Sequence, residues 1–270
     1  MKLGHQFSRA LLGGLVAAMA GASTIGCGNA GAAVSGVPAP RGNVLGWQHV
    51  YTDDFSGKAL NRARWSRYSG TPGGDPASSW SPSHVRVGGS KLVLMGYRDG
   101  GRLVTGGVSN WRNAQLYGKW EVRARADASD EVTFHFLLWP RNEVWPPEID
   151  FAESFGGART KVDAFLHWRD AAGKRQKRQR VLRGDFTKWN TFGVEWTPSL
   201  VRYTINGRVW ATETGGIVPS TPMWLGLQAQ AGGCAKRAQW GGKRCPTVGT
   251  PAVTRVEIDW VAVYRPGLAL

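Results

Sequence analysis

Acidic residues and cysteines are scarce in this chain. Among 270 residues, 19 Asp and Glu face 34 Lys and Arg, a formal charge of +15, which favours encounters with anionic partners such as an acidic glycan or a cell envelope. Three cysteines with no C-x-x-C and no nearby His pair exclude a thiolate zinc site. Charged residues make up only 20% of the chain and no segment holds a 3.6-residue apolar period, which argues against a helical enzyme. The apolar stretch from Leu11 to Ala20 is too short to span a membrane and stay there. What is abundant is Gly, at 37, and Trp, at 14, within 42% hydrophobic content. That balance fills a sizeable core, excludes disorder and fibre, and points to a turn-rich all-β protein.

The first residues read as an export leader. Lys2 and Arg9 precede Leu11 to Ala20, and small residues follow through Ala33. Residues 1–32 are therefore expected to be a signal peptide and the protein to be secreted. The alternative is a lipoprotein, in which Thr24-Ile25-Gly26-Cys27 is the lipidation box and Cys27 carries the anchor. Removing residues 1–32 takes away two cations and no acid from +15, leaving +13, so the basic bias belongs to the rest of the chain. Cys234 and Cys245 then remain as an even pair in an oxidising compartment, which predicts a disulfide.

Residues 33–43 read as a linker, and residues 44–267 as one domain. Within it, short alternating runs recur between Gly, Pro, Asn and Asp clusters, among them Gly118 to Ala126, Thr133 to Trp139, Glu148 to Ser154, Val162 to Trp168, Met223 to Gln230 and Val256 to Tyr264. Ile205-Asn206-Gly207-Arg208 reads as a hairpin tip. Many strands and tight turns predict a two-sheet jelly-roll sandwich.

Chemistry concentrates in Trp145-Pro146-Pro147-Glu148-Ile149-Asp150-Phe151-Ala152-Glu153. In a regular strand Glu148 and Asp150 share a face and Glu153 points the other way. One extra residue at a bulge near Phe151-Ala152 would bring all three acids to one face. Carboxylates side by side raise at least one pKa, and glycoside hydrolysis uses such a pair, one ionised to attack and one protonated to serve the leaving oxygen.

The acid motif, Glu-x-Asp-x-x-Glu, resembles that of the bulged branch of glycoside hydrolase family 16, laminarinase- and agarase-like secreted endo-glycanases. Other segments carry the same resemblance: Thr52-Asp53-Asp54-Phe55-Ser56-Gly57 followed by Trp65, Tyr117-Gly118-Lys119-Trp120-Glu121-Val122-Arg123, Phe192-Gly193-Val194-Glu195-Trp196-Thr197-Pro198, and Ile258-Asp259-Trp260-Val261-Ala262-Val263-Tyr264. The resemblance implies a concanavalin- or lectin-like jelly roll with an open substrate cleft on its concave face. It implies Glu148 as nucleophile, Glu153 as acid/base and Asp150 as their partner, with retention of configuration. No metal or cofactor is implied for catalysis; some members bind a structural calcium, and no oxygen-ligand loop here is clear enough to assign one. Pro147 and Ala152 stand where the laminarin-cleaving branch has Gly and Met.

By the same resemblance, Trp145 falls at the cleft floor, His167 faces the acid strand and Gln228 takes the place of an Asn near the acids. Trp139 and Trp111 are further candidates for sugar contact, with core packing as the other reading. The run Lys174-Arg175-Gln176-Lys177-Arg178-Gln179-Arg180 with Arg183 is either a solvated edge or an attraction to acidic glycan or envelope. Nucleic acid is not an expected partner, because no binding module or exposed aromatic interleaving accompanies the basic run. The expectation is a monomeric endo-β-glycanase acting on a polysaccharide, a β-1,3- or β-1,3/1,4-glucan. Its rivals are action on a galactan or acidic polysaccharide, transglycosylation, a non-catalytic lectin-like binder, and a cation site made of the three acids.

Overall fold

The computed structural model describes residues 33–73, 75–239, 242 and 244–267. The expected signal peptide, with Lys2, Arg9 and Cys27, lies outside the described residues. Strands appear in the order β1 (Trp47–Asp53), β2 (Ser66–Arg67), β3 (Val85–Val87), β4 (Leu92–Asp99), β5 (Arg102–Val104) and β6 (Gly107–Ser109). Next come β7 (Gly118–Ala126), β8 (Thr133–Pro140), β9 (Glu148–Ser154), β10 (Lys161–Arg169) and β11 (Arg175–Arg183). The last are β12 (Asn190–Trp196), β13 (Leu200–Ile205), β14 (Arg208–Thr214), β15 (Met223–Gln230) and β16 (Val253–Pro266), with the short helix α1 (Gly233–Gln239) before β16.

They form two antiparallel sheets. One is nine-stranded, with the path β14-β13-β12-β7-β16-β4-β3 and β1 and β5 added on β16 and β4. The other is seven-stranded, in the order β11-β10-β9-β8-β15-β6-β2. This is the jelly-roll sandwich expected from the alternating runs. Asn206 and Gly207 both have positive φ, at 49° and 77°, as the predicted hairpin tip between β13 and β14 requires.

The core follows from period-two alternation. Trp120, Val122, Phe192, Val194, Ile258 and Val261 of the nine-stranded sheet meet Phe134, Phe136, Ile149, Leu166, Leu225 and Leu227 of the other in one buried cluster. The intervening residues of β8, β9, β10 and β15 must then point to the outer face of the seven-stranded sheet. That face carries the buried polar residues His135, Asp150 and Gln228.

Residues 33–43 are not a free linker. Asp259, on the outer face of β16, accepts from the backbone N–H groups of Val34 at 3.2 Å and Ser35 at 3.0 Å, and Trp260 donates to the Val37 carbonyl at 3.0 Å. Ala39 and Trp47 cover a second apolar cluster of Trp260, Ala262 and Tyr264. A buried carboxylate and an indole N–H on that face need partners, and this segment supplies them. The disulfide joins Cys234 of α1 to Cys245, with Cα atoms 5.7 Å apart.

Candidate active site

The acids owe their placement to one irregularity in β9. Leu138 pairs with Ile149 and Leu137 with Asp150; the register then slips, so that Phe136 pairs with Ala152 and His135 with Glu153. The partner on the other side, β10, slips at the same place, between Phe165 opposite Asp150 and Asp163 opposite Glu153. The bulge expected near Phe151-Ala152 is present. Phe151 and Ala152 are both core residues, and Glu153 returns to the outer face beside Glu148 and Asp150.

Each acid has a specific neighbour. Trp145 donates its indole N–H to Glu148 Oε2 at 2.6 Å. His167 Nε2 lies 3.2 Å from Asp150 Oδ2. His135 Nδ1 contacts Glu153 Oε1, and its Nε2 lies 2.8 Å from the Thr133 hydroxyl. Burial, then the charge of Asp150 and to a lesser degree that of Glu153, pushes the Glu148 carboxyl well above its ordinary range, with His167 and the Trp145 N–H working against the shift. Burial and then Glu153 do the same to Asp150, against the contact with Glu148. Burial lowers His167, Lys177 adds to the effect, and Glu148 and Glu153 oppose it. Burial and mutual repulsion thus favour the protonated forms of Glu148 and Asp150, the kind of tuning that acid/base chemistry at one bond uses.

Glu148 and Glu153 line an open cleft of about 800 Å³ whose wall includes Tyr68, Trp80, Trp139, Trp145, Trp224 and Gln228. Its mix of indole faces and a few convergent polar groups suits a chain of pyranose rings. Trp139 and Trp224 are fixed by one carboxylate: they donate to Glu143 at 2.8 and 3.3 Å, from a residue with a positive φ of 58°. Trp145 is already engaged, with the Arg175 guanidinium 4.8 Å over its ring and His167 beside it. Gln228 sits opposite His135 on β15. Trp111 is not brought to this wall; it is 49% exposed, bonded to Ser66 and stacked by Arg112. Among the described residues, those that could hold a cation by spacing are Glu148, Asp150 and His167, with one donor atom each within 4.8 Å of the others. His167, rather than Glu153, is the third member of that set.

Sequence reasoning missed His135, Glu143, Tyr68, Trp80 and Trp224. For His135 a signal existed: it is the polar residue in the outward phase of the apolar run Thr133 to Trp139. Tyr68 and Trp80 come from irregular chain before β3, where no periodicity marks a face.

The family model for glycosyl hydrolases family 16 matches residues 74–262. The endo-1,3-1,4-beta-glycanase ExsH of Rhizobium meliloti (strain 1021) is 27% identical over 152 residues, 56% of this chain and 31% of that protein, so the match spans about a third of this curated relative's length. The catalytic domain of an endo-1,3-beta-glucanase (laminarinase) from Thermotoga petrophila RKU-1 superposes with a TM-score of 0.68 at 20% identity, covering 82% of this chain and 99% of that domain. A Bacteroides ovatus family 16 protein labelled for mixed linkage glucan and solved with a product does so with 0.64 at 18% identity, covering 79% and 99%. At those identities the structures share the fold. The match over residues 74–262, which contains the bulged acid strand and most of both sheets, establishes the identity: this chain belongs to the glycosyl hydrolases of family 16.

Proposed function

We propose that the protein is a secreted, retaining endo-β-glucanase that cuts internal bonds of a β-1,3- or mixed-linkage β-1,3/1,4-glucan by double displacement. The observation that carries this reading is the β9 bulge, which sets Glu148, Asp150 and Glu153 on one face of a cleft walled by tryptophans. Glu148, oriented by Trp145, attacks the anomeric carbon; Glu153 protonates the leaving oxygen and then deprotonates the incoming water. Asp150, buried between them and backed by His167, limits the charge on the pair. The glycanase and mixed-linkage glucan relatives support the glucan class, and Arg175 over Trp145 supports a second reading in which the glucan bears anionic groups. The leader-like residues and the disulfide support action outside the cytoplasm.

Reducing-sugar release from a panel of neutral and acidic polysaccharides, with and without chelator, tests the substrate class. Loss of activity with chelator would favour Glu148, Asp150 and His167 as a metal site. The roles separate by azide rescue. Glu153→Ala is expected to cleave an activated aryl glycoside far better than polysaccharide and to give the β-glycosyl azide. Glu148→Ala should lose several orders of magnitude on every substrate and give the α-azide. Reversed anomers would exchange the two roles, and wild-type rates in both variants would remove the acids from the mechanism.

A further inference from the structure

His135 is 4% exposed and touches the proposed acid on one side and a hydroxyl on the other. Its surroundings decide where its protons sit. The Thr133 hydroxyl lies 2.8 Å from Nε2 of His135 and 3.2 Å from the Gln230 carbonyl oxygen. A carbonyl oxygen can only accept; with the hydroxyl proton directed to it, Nε2 donates its own proton to the Thr133 oxygen. In a neutral ring that leaves a lone pair on Nδ1, facing Oε1 of Glu153 in direct contact. Two lone pairs in contact repel, and a proton between them would relieve that repulsion. The groups around the ring are Thr133 on its own strand, Glu153 on β9, Gln228 on β15 and the Phe155 ring edge-on at 5.7 Å. Apart from Glu153, none of them ionises near neutrality.

We infer that Glu153 and His135 share one proton along the Oε1 to Nδ1 line, with Thr133 fixing the tautomer, and that His135 is a positioning residue that keeps Glu153 loaded as the acid. The inference rests on the acid/base role proposed above for Glu153. In the first half-reaction the shared proton passes to the glycosidic oxygen as its bond to the anomeric carbon breaks and a Glu148 oxygen forms the new one. Glu153 is left as a carboxylate and His135 as a neutral ring, lone pair against lone pair. In the second half-reaction the attacking water bonds to the anomeric carbon, the bond to Glu148 breaks, and the water's proton returns to the pair. The imidazole thus stores at each turnover the proton that a lone carboxyl would exchange with solvent.

The test is nitrogen NMR of the full-length protein labelled at histidine, with His135 assigned by its loss in His135→Asn. The expected spectrum has Nε2 protonated and Nδ1 between the bare and the protonated positions, and Glu153→Gln should return Nδ1 to the bare position. A wild-type ring carrying its proton on Nδ1 with Nε2 bare would overturn the inference. Kinetics supply a second readout that a structural role would not move. His135→Asn keeps an amide where Nδ1 stands but cannot take up a further proton. Turnover of polysaccharide should fall by roughly tenfold to a hundredfold, and that of a dinitrophenyl glycoside by less than about threefold. Equal losses on both substrates would reduce His135 to packing. Wild-type protein hydrolysing neither substrate would remove the proposed reaction, while the nitrogen spectrum would still decide whether the proton is shared.

Discussion

At the scale of single residues, the clustered acids are expected to oppose the stability of the fold that carries them. Glu148 is held well above its ordinary range by burial first and by Asp150 and Glu153 after it. A carboxyl whose folded-state value is raised binds its proton more tightly folded than unfolded. Its contribution is therefore favourable below the unfolded value and is lost as pH rises through the folded one. Near neutrality the site costs stability. Glu148→Gln keeps an oxygen for the Trp145 N–H and removes the charge, so it is expected to raise Tm at neutral pH and to lose that advantage as pH falls toward the ordinary carboxylate range. Thermal melts of both proteins across pH check this; an advantage of equal size at every pH would count against it. The acids themselves were legible in the sequence because Glu-x-Asp-x-x-Glu is an uncommon expense in a chain short of acids. His135, which meets Glu153, was not, since that contact depends on which strand lies alongside.

At the scale of elements, β11 separates what the sequence showed as one basic run. Pairing sets Arg175 opposite Arg169 and Lys177 opposite His167, and so on the cleft side, while Arg178 and Arg180 fall opposite Leu166 and Ala164, which face the other way. The latter two hold Glu213 of β14, 2% exposed, at 2.9 and 2.7 Å. Replacing Arg178 and Arg180 with Gln leaves that carboxylate buried and unpaired. It should lower unfolding stability by about 2–4 kcal/mol, trimmed by the half-exposed guanidinium groups, without changing how substrate binding depends on salt. Arg175→Gln should do the reverse. Stability should hold, and the weakening of binding to an anionic glucan with added salt should flatten, because exposed charges are screened beyond a Debye length of about 8–10 Å. Urea melts and KM measured from low to physiological salt separate the two; an unchanged salt dependence in Arg175→Gln would return the run to edge protection. One face of the strand thus holds a buried carboxylate, and the other carries Arg175 and Lys177, on which the glycan-attracting reading is to be tested. That division could not be read from the sequence, because the nine charge-rich residues of β11 show no apolar alternation that marks a face.

At the scale of the whole molecule, one carboxylate ties the region around α1 to the sheets. Asp130, 2% exposed, accepts from the backbone N–H groups of Thr247 at 2.7 Å and Gly249 at 2.8 Å and from Arg237 at 2.7 Å. Burial alone would raise its carboxyl, but the bonds from Thr247, Arg237 and Gly249 outweigh it and hold the group well below the usual carboxylate range. A depressed value contributes stability that is present above the unfolded value and is lost as pH falls through the folded one. Asp130→Asn should therefore cost stability near neutrality, and the deficit against wild type should shrink in strong acid. The disulfide beside it closes a loop with a sequence separation of 11 and should add about 2–3 kcal/mol. Two reactive thiols at Cys234 and Cys245 in unfolded, unreduced protein would refute the bridge. The sequence by itself determined the all-β class, the strands of the core, the hairpin at Asn206-Gly207, the cysteine pair and the acid trio, because these depend on alternation, turn chemistry and residue type within a few positions. Only the tertiary structure decided that Trp111 stands outside the cleft and that residues 33–43 are bound to β16. It also decided that His135 meets Glu153 and that the basic run divides by face. Each of those depends on which strands become neighbours and in what register, and a one-residue slip in register exchanges core for cleft.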